Sequence, residues 1–159
     1  MSSILVIYYS RTGHTQEMAE FIASGIRDGG AEAVLKSVDE VNVDELAGYD
    51  GVVIGSPSYY GCMAAEIKQL LDKSISVQGK LDGKVGGAFC SSARLSGGNE
   101  TTVLSLLNAL LVHGMVVTGG TPQFPYGPVA IHAPEEETTR KECLDYGRRV
   151  AKLATRLSS

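Results

Sequence analysis

The chain has 159 residues, of which 43% are hydrophobic and 20% charged, the proportions of one domain with its own apolar core. Its net charge of -4 argues against nucleic acid as a partner, because neutralising phosphates requires a basic surface. No stretch reaches the roughly 18 apolar residues of a membrane span, and no basic segment precedes the short apolar run at the start. We therefore expect a cytoplasmic protein that binds no membrane.

The first predicted element is a buried strand at residues 4–9, an uninterrupted apolar run. Apolar residues at helical spacing follow, and the sequence Asp-Gly-Gly at 28–30 predicts the end of that helix. Short apolar stretches predict further strands at 33–35, 52–55, 85–91 and 115–118, with helical periodicity between them and at the end of the chain.

Strands that alternate with helices predict an α/β fold, a doubly wound three-layer sandwich formed by one domain, 1–159. We expect a five-stranded parallel sheet in the order 2-1-3-4-5. The proline-rich and glycine-rich segment 119–134 predicts a long ordered loop before the last helix. In such a sheet ligands bind beyond the carboxyl ends of the strands, so the segments after strands one, three and four are the candidate site.

The segment after the first strand carries hydroxyls, a glycine and the free N–H groups of a helix N-terminus, which together suit a phosphate dianion. Its residues are Ser10, Arg11, Thr12, Gly13, His14 and Thr15. Neither a Walker A motif nor a GxG dinucleotide motif occurs in the chain. An ordinary helix cap formed by Ser10 or Thr12 is the alternative interpretation.

The segment after the third strand places two adjacent tyrosines where a flat aromatic ligand could stack on them, with a glycine that permits close backbone approach. Its residues are Pro57, Ser58, Tyr59, Tyr60 and Gly61. Ordinary packing is the alternative for the tyrosine pair.

The segment after the fourth strand is rich in small residues whose backbone N–H groups could face one edge of a ring. Its residues are Ser91, Ser92, Ala93, Arg94, Gly97 and Gly98. A flexible surface linker, with Arg94 as a solvated cation, is the alternative.

The three segments together supply one phosphate site and one site for a planar ring between two loops. This combination matches FMN, bound without a covalent link.

Three cysteines and three histidines are scattered along the chain: Cys62, Cys90, Cys143, His14, His113 and His132. Their spacing contains no CxxC or HxxxH pair, so we expect neither a disulfide framework nor a metal site.

The segments 10–15, 55–72 and 89–115 resemble the flavodoxin-like family of WrbA-type NAD(P)H:quinone oxidoreductases, and so does the tail at 120–122, 126–127 and 135–157. The resemblance implies a flavodoxin-like fold, FMN held by the three segments above, NAD(P)H as co-substrate, a quinone as electron acceptor, and a homodimer or homotetramer. It also implies that His113 is the active-site histidine beside the flavin. A helix C-terminal histidine next to Gly114, which complements the helix dipole, is the alternative.

Two further functions remain open: a one-electron flavodoxin carrier between protein partners, and a non-catalytic module with the same fold. Carriers usually present a strongly acidic face. Here 18 acidic residues nearly balance 14 basic ones, which favours the enzyme.

Overall fold

A computed structural model describes residues 1–133 and 136–159 of the chain. Its strands are β1 Ser3–Tyr8, β2 Glu32–Ser37, β3 Gly51–Pro57, β4 Val85–Ser92, β5 Val116–Val117 and β6 Val129–Ile131. Its α-helices are α1 His14–Asp28, α2 Ala65–Lys73, α3 Asn99–Val112 and α4 Glu137–Leu157. Short 3-10 helices cover Val38–Glu40, Val43–Gly48 and Ser74–Val77.

The strands form one parallel sheet in the order β2-β1-β3-β4-β5, which confirms the predicted order. Among the described residues the sheet has six strands and not the predicted five, because two short segments share the position beside β4. Strand β5 pairs with the start of β4 at Val85 and Gly86, and β6 pairs with its end at residues 90–92.

Strand β6 lies inside the segment 119–134 that was predicted to be irregular throughout. Proline has no N–H group to donate to a sheet, so the prolines at 122, 125 and 128 prevent pairing before that point. The apolar run Val129–Ile131 follows the third of them and is free to pair. Pro134, the last residue of the predicted loop, and Glu135 lie outside the described residues.

Helices cover both faces of the sheet, as the uniform apolar character of the central strands predicted. Alternate residues of β1 enter two separate cores. Ile4 and Val6 pack with α1 and α4, whereas Leu5 and Ile7 pack with α2 and α3, and all four are fully buried. No α-helix within the described part of the chain combines the length and the apolar character needed to cross a bilayer.

The parallel arrangement brings the carboxyl ends of β1, β3, β4 and β6 to one edge of the sheet, and α1 and α3 begin there. We call the segments that follow the first three of these strands loop 1 (residues 9–13), loop 2 (58–64) and loop 3 (93–98). The opposite edge holds the ends of α1 and α3.

Candidate functional site

A cleft of about 450 Å³ opens at the carboxyl edge of the sheet, where loops 1, 2 and 3 converge. It is lined by Arg11, Thr12, His14, Thr15, Pro57, Ser58, Tyr59, Ser91, Ser92, Ala93 and His132. All of these except His132 belong to the three segments that the sequence predicted to bind one ligand. The structure therefore brings the three segments together in one cleft.

Loop 1 leaves the N-terminus of α1 open to the cleft. Gly13 adopts a left-handed conformation with φ of +97°, and its N–H donates to Ser10 Oγ at 3.1 Å. The first helical hydrogen bond runs from the Glu17 N–H to the Gly13 carbonyl, and no side chain caps the helix. The N–H groups of the first turn thus have no acceptor within the helix, so an anion could accept them. This favours the anion site over the ordinary Ser10 or Thr12 cap.

A buried side-chain contact ties loop 1 to the end of β4. Thr15 is 2% exposed, and its hydroxyl is hydrogen bonded to Ser91 Oγ at 2.8 Å. This pair joins the start of α1 to the end of β4, and both of its residues line the cleft.

The charges around the cleft also suit an anion. Arg11, His14 and His132 line it, and none of the described lining residues carries a carboxylate. Together with the positive end of the α1 dipole, this set of donors fits a phosphate dianion.

Loop 2 is a tight hairpin that separates its two tyrosines. The N–H of Tyr59 donates to the Cys62 carbonyl at 3.0 Å, and the N–H of Cys62 donates back to the Tyr59 carbonyl at 3.1 Å. The two residues between them, Tyr60 and Gly61, have φ of 51° and 75°, as in a type I′ turn. Tyr59 lines the cleft, whereas the Tyr60 side chain is fully exposed to solvent.

The ring of Tyr59 packs edge-on against Tyr9 in loop 1, with centroids 6.5 Å apart and an interplanar angle of 75°. Desolvation and the neighbouring Glu66 carboxylate raise the pKa of Tyr9, so its phenol is neutral at physiological pH. Tyr59 therefore lines one side of the cleft with Tyr9 packed against its ring.

Loops 2 and 3 are in direct contact. The Ser58 hydroxyl donates to the Gly97 carbonyl at 3.2 Å. Gly98 has φ of +91°, and a Cβ on it would lie 2.5 Å from the Cα of Gly61. Both the conformation and the close approach therefore require glycine at this position. Ser92 stabilises the start of loop 3, because its hydroxyl donates to the Arg94 carbonyl at 2.7 Å.

Seven of the predicted cofactor residues do not line the cleft: Ser10, Gly13, Tyr60, Gly61, Arg94, Gly97 and Gly98. The glycines and Ser10 shape the loops, as described above. The side chains of Tyr60 and Arg94 are exposed. Sequence reasoning placed these residues on the loops that border the cleft but could not tell which side chains face inward.

His132 is the lining residue that sequence reasoning missed. It follows β6 directly, has a left-handed φ of 61°, and donates its N–H to the Ser92 carbonyl at 2.8 Å. The apolar run at 129–131 was the available signal, because a strand there would bring the next residue to the carboxyl edge.

His113 does not reach the cleft of its own chain, which corrects the expectation that it lies beside the ligand there. Helix α3 begins at the cleft edge, and its 14 residues, at about 1.5 Å per residue, span roughly 21 Å. His113 follows the other end of α3, where Nε2 lies 2.7 Å from Ser74 Oγ. The Ser74 hydroxyl donates to the Leu71 carbonyl, so the Nε2–H of His113 donates to Ser74. This position matches the helix C-terminal alternative.

The cysteines offer no reactive thiol inside the cleft. Burial raises the pKa of Cys90 and of Cys143 to about 12, so both remain protonated, and Cys62 is exposed on the loop 2 hairpin. Across residues 1–133 and 136–159 no three His, Cys, Asp or Glu side chains are grouped to hold a metal ion.

The parallel order 2-1-3-4-5, with a cleft beyond the first, third and fourth strands, defines a flavodoxin-like α/β protein. The family model for the flavodoxin domain matches residues 5–108, and the chain belongs to this family. The solved structure of a flavodoxin, WrbA-like protein from Agrobacterium tumefaciens superposes with a TM-score of 0.85. It is 28% identical in sequence, and the match covers 98% of this chain and 99% of that one.

Two relatives in sequence carry different names. An NAD(P)H dehydrogenase (quinone) of Archaeoglobus fulgidus is 32% identical, and the alignment covers 99% of this chain and 100% of the relative. A flavodoxin of Aquifex aeolicus is 37% identical, with 95% of this chain and 86% of the relative covered. These matches confirm the family resemblance carried by the three loop segments.

Proposed function

We propose that the protein is an NAD(P)H:quinone oxidoreductase that binds FMN non-covalently in the cleft. The observation that carries the proposal is the convergence of loops 1, 2 and 3 on one cleft with cationic and N–H donors and no carboxylate among its described lining residues. The relationship to named NAD(P)H dehydrogenases (quinone) at 32% identity supports the same reaction. When bound, FMN supplies reversible two-electron redox chemistry.

In this proposal different residues of the cleft contact different parts of the cofactor. Arg11, Thr12, His14 and the first-turn N–H groups of α1 hold the phosphate. Tyr59, with Pro57 and Ser58, borders the ribityl chain and the isoalloxazine ring. The sequence 91–93 and His132 border the opposite side, where backbone N–H groups and the imidazole can stabilise negative charge.

In the overall reaction NAD(P)H gives up a hydride, which carries two electrons. The quinone gains two electrons and two protons and becomes a hydroquinone, so one proton comes from solvent. The role of this chain is to hold the reactants in contact and to shield them from water.

We further propose that the whole chain, 1–159, acts as a single domain and assembles as a homodimer or homotetramer in the cytoplasm. Three exposed apolar side chains near the far end of α3 support self-association, because water contact with them is unfavourable. They are Ile75, Leu111 and Val112, with exposures of 69%, 53% and 87%. Sedimentation of the purified protein tests the assembly, and a monomer at all concentrations would contradict it.

The second candidate function is a flavodoxin-type carrier that exchanges single electrons with protein partners. It is supported by the 37% identity to the Aquifex aeolicus flavodoxin. The two candidates differ in whether a pyridine nucleotide reduces the bound flavin directly.

The deciding experiment is visible absorption of the FMN-loaded protein, first without reductant and then with anaerobic NADH or NADPH, followed by menadione. The enzyme predicts rapid bleaching of the flavin band by one of the nucleotides and recovery on adding the quinone. Flavin that dithionite reduces but neither nucleotide reduces would favour the carrier. Protein that takes up no FMN would refute both functions.

A further inference from the structure

A cavity of about 470 Å³, separate from the cleft, opens beside the C-terminal half of α4. One wall is α4 between residues 145 and 156, and the other is the segment after β5 between residues 118 and 121. We call it the basic cavity, because four cations are among its described lining residues: Arg148, Arg149, Lys152 and Arg156. Its volume falls in the range of small-molecule sites.

The basic cavity and the cleft share none of their described lining residues and lie towards opposite edges of the sheet. Arg148 pairs at 2.9 Å with Asp28, the last residue of α1, whereas the first residues of α1 line the cleft. The 15 residues of α1, at about 1.5 Å per residue, span roughly 22 Å between these two points. A ligand in the basic cavity would therefore not touch a reactant held in the cleft.

One of the four cations already has acidic partners. Arg148 donates to Asp145 at 2.8 Å and to Asp28 at 2.9 Å. The Asp145 carboxylate, the one acidic group among the described lining residues, also accepts from Lys141 at 3.0 Å. The hydrogen bonds from Lys141 and from Arg148 lower the pKa of Asp145, so it stays ionised and engaged with these two cations. Asp145 therefore does not neutralise the rest of the cavity.

The other three cations form no ion pair with any carboxylate of the described residues. Arg149, Lys152 and Arg156 are exposed, and their spacing of three and four residues places them in one stripe along α4. On α2, by contrast, Lys68 pairs with Asp72 four residues further on. Like charges at such spacings repel each other and destabilise a helix. An anion bound between them would offset this repulsion.

The helix dipole explains only one cation of this stripe. Its effect is confined to about the last turn, where a positive charge is stabilising. Arg156 lies in the last turn of α4, which ends at Leu157, whereas Arg149 and Lys152 lie before that turn. Stabilisation of the helix end is therefore not a sufficient reason for the stripe.

The wall opposite the stripe is held in place by the rest of the fold. The Thr121 hydroxyl donates to the buried Glu142 carboxylate at 2.6 Å. The hydroxyl of the buried Tyr146 donates to the Thr118 carbonyl at 3.2 Å. The cavity is therefore formed before any ligand arrives, which favours binding.

The charges of the stripe select the class of ligand. Arginine binds phosphate oxygens through two parallel N–H bonds, and lysine adds a compact positive charge. Between Arg149 and Arg156 the stripe extends about 10 Å along the helix axis. The three cations could meet one phosphate only by converging, which their repulsion opposes, and a protein partner would need a broader surface than this cavity offers.

From this stripe of cations in a preformed cavity, we propose that the basic cavity binds an oligophosphate, a ligand with two or more linked phosphate groups. The site is additional to the proposed FMN site and does not depend on it.

Isothermal titration calorimetry of the FMN-saturated protein with sodium tripolyphosphate tests the proposal while the cleft is occupied. We expect one tripolyphosphate per chain, with an affinity that falls as sodium chloride is added. Orthophosphate should bind at least about tenfold more weakly, since it meets fewer of the cations. No saturable binding of tripolyphosphate, or equal binding of orthophosphate, would overturn the proposal.

ATP titrated in parallel distinguishes two sources of the phosphate chain. Tighter binding of ATP than of tripolyphosphate supports a nucleotide as the ligand. Equal binding supports recognition of the phosphate chain alone.

Three variants locate the site. Arg149→Gln and Lys152→Gln should each weaken tripolyphosphate binding by about fivefold, and both should fold, because glutamine is a good helix former. Lys73→Gln is the matched control, since Lys73 is exposed in the last turn of α2, on the other face of the sheet. FMN affinity should be unchanged in all three variants. Equal losses of tripolyphosphate binding in Lys73→Gln and Lys152→Gln would reduce the effect to net charge and overturn the site.

A peptide of four glutamates tests the competing class of ligand, because it presents its negative charge on carboxylates along a flexible chain. We expect it to bind more weakly than tripolyphosphate. Tighter binding of the peptide would overturn the proposal in favour of an acidic protein segment. If the protein takes up no FMN, the proposed function fails, whereas the same titrations and variants still test the basic cavity in the apoprotein.

Discussion

The contact between loops 2 and 3 gives the sharpest test of the cleft, through the substitution Gly98→Ala. Gly98 has φ of +91°, so any side chain there is strained by about 1–2 kcal/mol. In addition, the new Cβ would lie 2.5 Å from the Gly61 Cα, whereas ordinary contact begins near 3.4 Å. Since both partners are backbone, loops 2 and 3 would have to move apart by about 0.9 Å, the difference between these two distances.

Gly30→Ala is the matched control. Gly30 has φ of +87° after the end of α1, away from the cleft, and a Cβ there would meet nothing within 4 Å. Gly30→Ala therefore carries the conformational strain without the collision. Gly30→Ala should lose about 1–2 kcal/mol of unfolding free energy, and Gly98→Ala should lose more than Gly30→Ala.

FMN affinity separates the two variants. Gly98→Ala should widen the cleft between the loops that border the ring. It should therefore bind FMN at least about tenfold more weakly than the parent protein, equivalent to about 1.4 kcal/mol of binding free energy. Gly30→Ala should bind FMN with the parent affinity. Titration of apoprotein with FMN, followed by quenching of flavin fluorescence, measures both values at a temperature where both variants are folded. Equal affinity of Gly98→Ala and Gly30→Ala would refute the placement of the ring between loops 2 and 3.

Three other substitutions test separate parts of the structure. Arg11→Gln should weaken FMN binding roughly fivefold and leave riboflavin binding unchanged, because only FMN carries the phosphate. Its control is Arg94→Gln, since the Arg94 side chain lies outside the cleft. His113→Ala should leave the FMN dissociation constant unchanged and lower the unfolding free energy by about 1 kcal/mol, through loss of the bond to Ser74. Tyr146→Phe should lower the unfolding free energy by about 1–3 kcal/mol, because it leaves one N–H and one carbonyl of the fold without their buried partner.

The tyrosine substitution also predicts a change at high pH. Burial raises the pKa of Tyr146 from 10.0 to about 12, so the folded state holds the phenolic proton more tightly than the unfolded state does. Its contribution to stability is complete below pH 10 and is lost as pH rises towards 12. The urea midpoint of the parent protein should therefore fall more steeply over this range than that of Tyr146→Phe. Parallel profiles would contradict the assignment.

Contrary results for the other two substitutions are equally specific. Weakened riboflavin binding in Arg11→Gln would mean that Arg11 supports the ring and not the phosphate. A lower FMN affinity in His113→Ala would contradict the separation of that histidine from the cleft of its own chain.

Local patterns in the sequence were enough to predict the parallel sheet and the edge at which the site lies. The run at residues 4–9 reads as a strand buried on both faces, and strands alternating with helices leave few possible topologies. The residues from Ser10 to Thr15 could be placed at the carboxyl edge of the sheet for the same reason. A segment that follows a buried parallel strand and precedes a helix lies at that edge.

The same patterns could not show where individual side chains point or which segments meet. Tyr59 and Tyr60 are neighbours in the chain, yet a type I′ turn directs one into the cleft and the other into solvent. His132 lines the cleft only because β6 pairs with the end of β4, a contact between residues about 40 positions apart in the chain.

What the sequence alone determined is therefore the class of fold and the loops that border the cleft, because periodicity, apolar runs and helix N-termini are properties of neighbouring residues. The tertiary structure decided that His113 lies at the far end of α3 from the cleft, that His132 lies inside it, and that the basic cavity opens between α4 and the segment after β5. These are distances between segments remote in the chain, and only packing of the sheet and its helices sets them.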